Sequence, residues 1–195
     1  MAQPSQADIF AALTAQAQAP LRRDSPSTSP YSAFSDPVED LTTSRPGATI
    51  EAVDEKENQG RVNNRRIYCP REGCGSWIMS EGVGEWMTVD GPVLPIDPSS
   101  PFPPAPTISS RTPFWHITSS PFAFDNIGFS KPDTSTKLPP HAPGQETSGL
   151  KGKTQVKWLI CAECDLGPLG WSYEGGKEAW LAVERVKYGE VKKVQ

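Results

Sequence analysis

The chain has four cysteines in all, Cys69, Cys74, Cys161 and Cys164, and they fall in two close pairs. Cys69-Pro-Arg-Glu-Gly-Cys74 is a C-x4-C pair, and Cys161-Ala-Glu-Cys164 is a C-x2-C pair. Thiolates a few residues apart can wrap one soft ion, and four of them complete a tetrahedron. The chemistry this predicts is a single structural zinc ion held by all four sulfurs, joining two hairpins far apart in sequence. A catalytic zinc usually keeps one position for water, and four thiolates leave none. Gly73 and Gly75 supply the backbone freedom that a knuckle turn needs.

Other chemistry is sparse. His116 and His141 are the only histidines, both beside proline-rich stretches, and are expected at the surface rather than as ligands or bases. There is no phosphate-cradling G-x4-GK[ST] loop and no G-x-S-x-G elbow. The reading is therefore of a protein that is not an enzyme.

The elements that must position the cysteines are short strands. Arg65–Tyr68 runs into Cys69, Trp77–Met79 follows Cys74, and 83–89 is placed to pair with it. A strand pattern runs from Phe114 to Phe124, and Val156–Ile160 leads into the second pair. Gly167-Pro168-Leu169-Gly170 reads as a turn. Trp180–Val186 closes the fold, with Leu181 and Val183 on one face and Trp180 and Ala182 on the other. Each cysteine pair follows a short apolar strand and precedes a glycine and a tryptophan, which predicts two knuckles facing each other. The fold class is mainly β.

The chain of 195 residues holds 21 prolines and 16 glycines with only 36% hydrophobic residues, which fits one small domain inside a longer chain. Residues 1–62 read as a disordered acidic, Ser- and Pro-rich tail, with a marginal helix at 5–18. The folded part is placed at 63–190, interrupted by mobile insertions at about 92–112 and 132–153. Residues 1–60 carry nine acidic and four basic side chains, so a chain of net charge −4 leaves its remainder near neutral. That gives no basic field for nucleic acid. With no apolar run long enough to span a membrane, no basic-then-apolar leader and no C-terminal lipidation cysteine, a soluble cytoplasmic protein is expected. In that reducing compartment, paired cysteines point to metal rather than to disulfides.

A resemblance sharpens this. Phe122-Ala-Phe-Asp-Asn-Ile-Gly-Phe129-Ser-Lys131 resembles the FxF[ED]NxGF[ST]K segment of the Rab-interacting factors of the Mss-four and Dss-four type. Trp158 to Trp171, Ala179 to Val186 and Cys69 to Trp77 are similar to that family's second knuckle, closing strand and first knuckle. The resemblance implies a zinc-pinned β-tent. It also implies binding to Rab-type small GTPases of the exocytic route, preferring the nucleotide-free form, with slow promotion of GDP release or chaperoning of the empty GTPase. Phe122, Phe124, Asp125 and Asn126 are the implied GTPase contacts, with the two phenylalanines divided between interface and core. The chain departs from the family at the first pair, usually C-x2-C, and at Ser119-Ser120-Pro121, where acidic residues are usual. It also carries two proline-rich insertions that compact family members lack.

The alternative is a zinc-stapled interaction module without exchange activity. A methionine sulfoxide reductase of the B type needs a nucleophilic thiolate outside the zinc site, and there is no fifth cysteine. A zinc-ribbon nucleic-acid binder needs basic and stacking residues around the knuckles, where Glu72 and Glu163 stand.

Overall fold

Apolar residues alternate through the longest strands, and both sets find cover. The computed structural model describes residues 41–44, 60–95, 102, 111–118, 123–144 and 155–190. The strands are β1 (Thr42–Ser44), β2 (Arg61–Asn63), β3 (Ile67–Tyr68), β4 (Trp77–Met79), β5 (Glu85–Asp90) and β6 (Arg111–Ile117), then β7 (Ile127–Phe129), β8 (Val156–Cys161), β9 (Gly170–Tyr173), β10 (Ala179–Ala182) and β11 (Lys187–Tyr188). Eight form a sheet in the order β1-β2-β5-β6-β10-β9-β8-β7, and three form a second sheet in the order β11-β3-β4. Every pairing between named strands is antiparallel.

Period-two alternation sends Trp115, Ile117, Leu159, Leu181 and Val183 into a core shared with Ile67, Ile78, Met79 and Tyr188 of the smaller sheet. Phe114, Trp171, Tyr173, Trp180 and Ala182 point to the opposite face, into a second core. The expected split of Leu181 and Val183 from Trp180 and Ala182 is thus observed. A bulge in β4 turns both Ile78 and Met79 inward, since Ile67 pairs with Met79 while Tyr68 pairs with Trp77.

Two polar devices lock the sheets together. Asn63, fully buried, donates from Nδ2 to the carbonyls of Arg65 (2.9 Å) and Ser80 (2.8 Å), and its Oδ1 accepts from the Gly84 amide (2.8 Å). Trp115 Nε1 donates to the Tyr188 hydroxyl (2.7 Å), which donates to the Val183 carbonyl (3.2 Å).

The structure departs from the sequence reading in four places. Leu41 is buried and Thr42–Ser44 pair with Arg61–Asn63, inside the stretch read as tail. The strand expected from Phe114 to Phe124 begins earlier and stops at Ile117. It tolerates Pro113 because pairing with β10 ends at Phe114, so there β6 is paired on one side only. The closing strand breaks after Ala182 into a 3-10 turn, Val183–Arg185, before β11 joins the other sheet. Val183 and Val186 both enter the first core across this turn, and Arg185 Nη1 donates to the Pro168 carbonyl at 2.7 Å. Finally, much of the second expected insertion is a strap: Leu138 and Ala142 cover the second core, and the Tyr173 hydroxyl donates to the Pro143 carbonyl at 3.1 Å. The expected helix at 5–18 lies outside the described residues.

Asp133 anchors that strap. Its carboxylate accepts from the Ser135 hydroxyl and amide (2.7 and 2.8 Å), the Thr136 amide (3.1 Å) and Trp158 Nε1 (3.0 Å). The Ser135 and Trp158 bonds lead in holding its pKa far below the ordinary carboxylate range. A depressed carboxylate contributes stability that is present above its unfolded pKa and lost as pH falls toward the folded one. Wild-type protein should therefore lose melting temperature more steeply than Asp133→Asn between about pH 5 and pH 2. Thermal melts of both across that range check it; parallel curves would show that Asp133 carries no such linkage.

Candidate metal centre and the segment beside it

The two knuckles fold alike. Cys69 N donates to the Ser76 carbonyl (2.8 Å) and Cys161 N to the Leu166 carbonyl (2.9 Å). In each, the first cysteine's amide reaches the residue two past the second cysteine, so the expected echo is also a structural one. The wider first pair is absorbed by a turn in which Cys74 N donates to Arg71 O (3.1 Å), with Gly73 and Gly75 at φ of 78° and 62°. In the second knuckle Asp165 takes the left-handed conformation, φ 56°, which its short side chain tolerates, and its amide donates to Cys161 O (2.9 Å).

The knuckles bring all four sulfurs within 4.8 Å of one another. Across the knuckles, Cys69 Sγ lies 3.6 Å from Cys164 Sγ, and Cys74 Sγ lies 3.9 Å from Cys161 Sγ. A tetrahedron with metal–sulfur arms of about 2.3 Å has edges of about 3.8 Å, which the two cross-knuckle distances bracket. Cys69 and Cys161 are buried in the first core, while Cys74 and Cys164 are half-buried. Burial pushes the Cys69 thiol far above its ordinary value, and the neighbouring cysteines push the same way. Burial likewise raises Cys164, to about 11. Burial also opposes ionisation of Cys161, but the backbone amides of Glu163 and Cys164 and the neighbouring thiols outweigh it and lower its pKa. Four thiolates in one partly buried cluster require a cation to neutralise them, and the donor set fits a soft tetrahedral metal ion.

The segment 124–129 lies against both knuckles. Phe124 bridges to Met79. Asp125 N donates to Ile78 O (2.9 Å), and Asn126 Nδ2 donates to Trp77 O (2.7 Å). The Asn126 carbonyl accepts from Ala162 N (3.0 Å), and β7 then pairs with β8, Ile127 opposite Cys161. One short segment thus closes the edge of the small sheet and joins the edge of the large one.

Of the expected contacts, Asp125 and Asn126 are exposed. Phe124 is not: it is 8% exposed and belongs to the first core. Its backbone makes an isolated antiparallel bridge to Met79, and the bend follows at Asp125 and Asn126; Phe122 lies outside the described residues. Asn126 also holds the first knuckle, a role its place in the motif did not reveal.

The expected turn glycines are structural for a reason other than φ. Gly170 lies in a central strand, where a Cβ would come within 2.0 Å of the Trp180 carbonyl. His141 is exposed as expected, but His116 is not a simple surface residue. Its ring stacks on Trp180 at 5.2 Å, and its Nε2 lies 3.2 Å from a Glu178 carboxylate oxygen. Among the described residues no helix is long and apolar enough to cross a membrane.

A mainly β domain with two facing knuckles, a four-thiol cluster suited to a metal ion and this linking segment defines a small two-sheet scaffold joined at its knuckles. A family model described as Mss4 protein matches residues 62–188. The match spans most of the chain, and the chain belongs to the Mss4 family. Membership in a family of Rab-interacting factors is consistent with a non-catalytic role.

Proposed function

We propose that this protein binds Rab-type small GTPases of the exocytic route in their nucleotide-free form and promotes GDP release, acting as a soluble cytoplasmic factor. The observation that carries the reading is the family match over 62–188, which includes the segment that ties the two knuckles together. Cys69, Cys74, Cys161 and Cys164 are assigned as ligands of one structural zinc. The ion would supply the crosslink between knuckles and no bond-making chemistry. Asp125, exposed at the end of that segment, is assigned to the GTPase contact, with Asn126 beside it.

A partner that binds only the empty GTPase shifts its equilibrium by the difference in affinity between the two states. GDP and this protein must therefore oppose each other on the GTPase. Ser119-Ser120-Pro121, where the family tends to carry acidic residues, favours holding the empty form over fast exchange. The test is release of a fluorescent GDP analogue from a panel of exocytic Rab proteins, together with retention of nucleotide-free Rab on immobilised protein. Retention that added GDP reverses is expected. If no Rab releases faster and none is retained, the GTPase reading fails and a metal-stapled interaction module replaces it.

A further inference from the structure

The inward face of the three-stranded sheet is filled by Ile67, Ile78, Met79 and Tyr188, but its outward face carries a different set. Trp77 and Lys187 both stand opposite Tyr68 in register, so the three side chains form a row across β4, β3 and β11. Tyr68 and Trp77 are half-buried, and Lys187 is exposed. The exposed Arg66 lays its guanidinium over the Trp77 ring, 4.4 Å from the centroid. Gly189 N donates to Arg66 O (2.9 Å), and a Cβ on Gly189 would press to 3.1 Å from the Tyr68 ring, so the glycine leaves that ring room at the end of the row. The first core needs neither cation, and none of the four cysteines depends on them.

We propose that this row, Arg66, Trp77, Tyr68 and Lys187, is a second contact area that docks an acidic segment of the GTPase. The proposal rests on the GTPase reading above. Two observations commit it to that occupant. The face is continuous with the segment assigned to the GTPase, because Asn126 Nδ2 is bonded to the carbonyl of Trp77 itself. Its charge is complementary to a carboxylate-bearing segment: a guanidinium and an ammonium flank two aromatic rings. Aromatic anchors with a paired cation are the residue types that dominate interface energetics, and rim charges set encounter rate and salt dependence. A nucleic acid fits less well, since only two cations stand in the row, too few to hold a run of phosphates.

The experiment compares wild type, Asp125→Ala, Trp77→Ala and the double variant Arg66→Glu/Lys187→Glu. Binding to nucleotide-free Rab is measured at low and high salt, with metal content and melting temperature recorded for each. Vesicles of anionic phospholipid and a single-stranded RNA serve as alternative probes. The double variant replaces exposed side chains, so it should keep its metal and its melting temperature. It should bind the empty Rab about tenfold or more weakly at low salt and lose most of the salt dependence. Trp77→Ala should weaken binding at both salt concentrations. If the double variant binds as wild type does while Asp125→Ala binds weakly, the second contact is overturned and the GTPase reading stands. If wild type retains no empty Rab, both fall. If the double variant loses binding only to vesicles or RNA, the face belongs to that ligand and the proposal is overturned.

Discussion

Cys161→Ser abolishes stoichiometric metal binding and removes the cooperative thermal transition: that is the expected result with the largest effect. Cys161 is fully buried, ends β8, and has its sulfur 3.9 Å from Cys74 across the knuckles. Its amide closes the second knuckle through the Leu166 carbonyl, and it stands opposite Ile127 of the linking segment. A serine keeps the size but offers a hard, poorly ionised oxygen to a soft ion. Structural zinc contributes roughly 10–16 kcal/mol in small metal-folded peptides, against roughly 5–15 kcal/mol of net stability for a whole domain. Losing even half of the metal term can therefore unfold the chain. Cys164→Ser removes a ligand at a half-buried position and should cost less stability for the same loss of metal. Elemental analysis of purified protein and a circular-dichroism melt are the measurements. A Cys161→Ser protein that keeps one equivalent of metal and the wild-type melt would show that the cluster does not depend on its fourth thiolate.

The four-thiol cluster was the most legible feature of the chain, because residue type and spacing are local and every cysteine is spent on it. The central strands were legible for a related reason: alternation at Trp180–Val183 and Phe114–Ile117 is read directly from residue type. What escaped the sequence has no period to read. Thr42–Ser44 is three residues long, and its place is set by pairing with a strand some nineteen positions later. The Lys131–Gly144 strap looks like a linker by composition, yet Leu138, Ala142 and the four bonds to Asp133 fix it to the second core. Asn63 carries no motif at all; its three side-chain bonds depend on residues up to 21 positions away. The face made by Arg66, Tyr68, Trp77 and Lys187 exists only once β11 has come back beside β3. In the linking segment the motif was legible but its division of labour was not, since burial of one residue and exposure of the next depend on where β4 lies.

That division gives the second large effect. Phe124 and Asp125 are neighbours in one motif, and they should fail in opposite ways. Phe124 is buried in the first core beside the knuckles, so truncating it leaves a cavity as well as losing apolar contact. Phe124→Ala should cost about 3–5 kcal/mol of stability. For a domain of this size that shifts the melting temperature downward by roughly 10 °C or more. Asp125 lends only its backbone amide to the fold, through Ile78 O, and its exposed carboxylate is free to meet a partner. Asp125→Ala keeps that amide and should leave the melt within about 0.5 kcal/mol of wild type. Its effect should fall on the GTPase instead, with retention of nucleotide-free Rab weakened about tenfold or more, the order of loss seen when a charged contact at an interface is truncated. Asn126→Ala is a less clean probe than either, because its side chain holds Trp77 O and the variant would loosen the first knuckle while altering the surface. The measurements are paired: a thermal melt with metal content, and retention of empty Rab, for each variant. A stable Asp125→Ala protein that binds as wild type does removes Asp125 from the contact. A Phe124→Ala protein that melts like wild type contradicts its place in the core, and one that folds and still binds shows that this ring is no part of the contact.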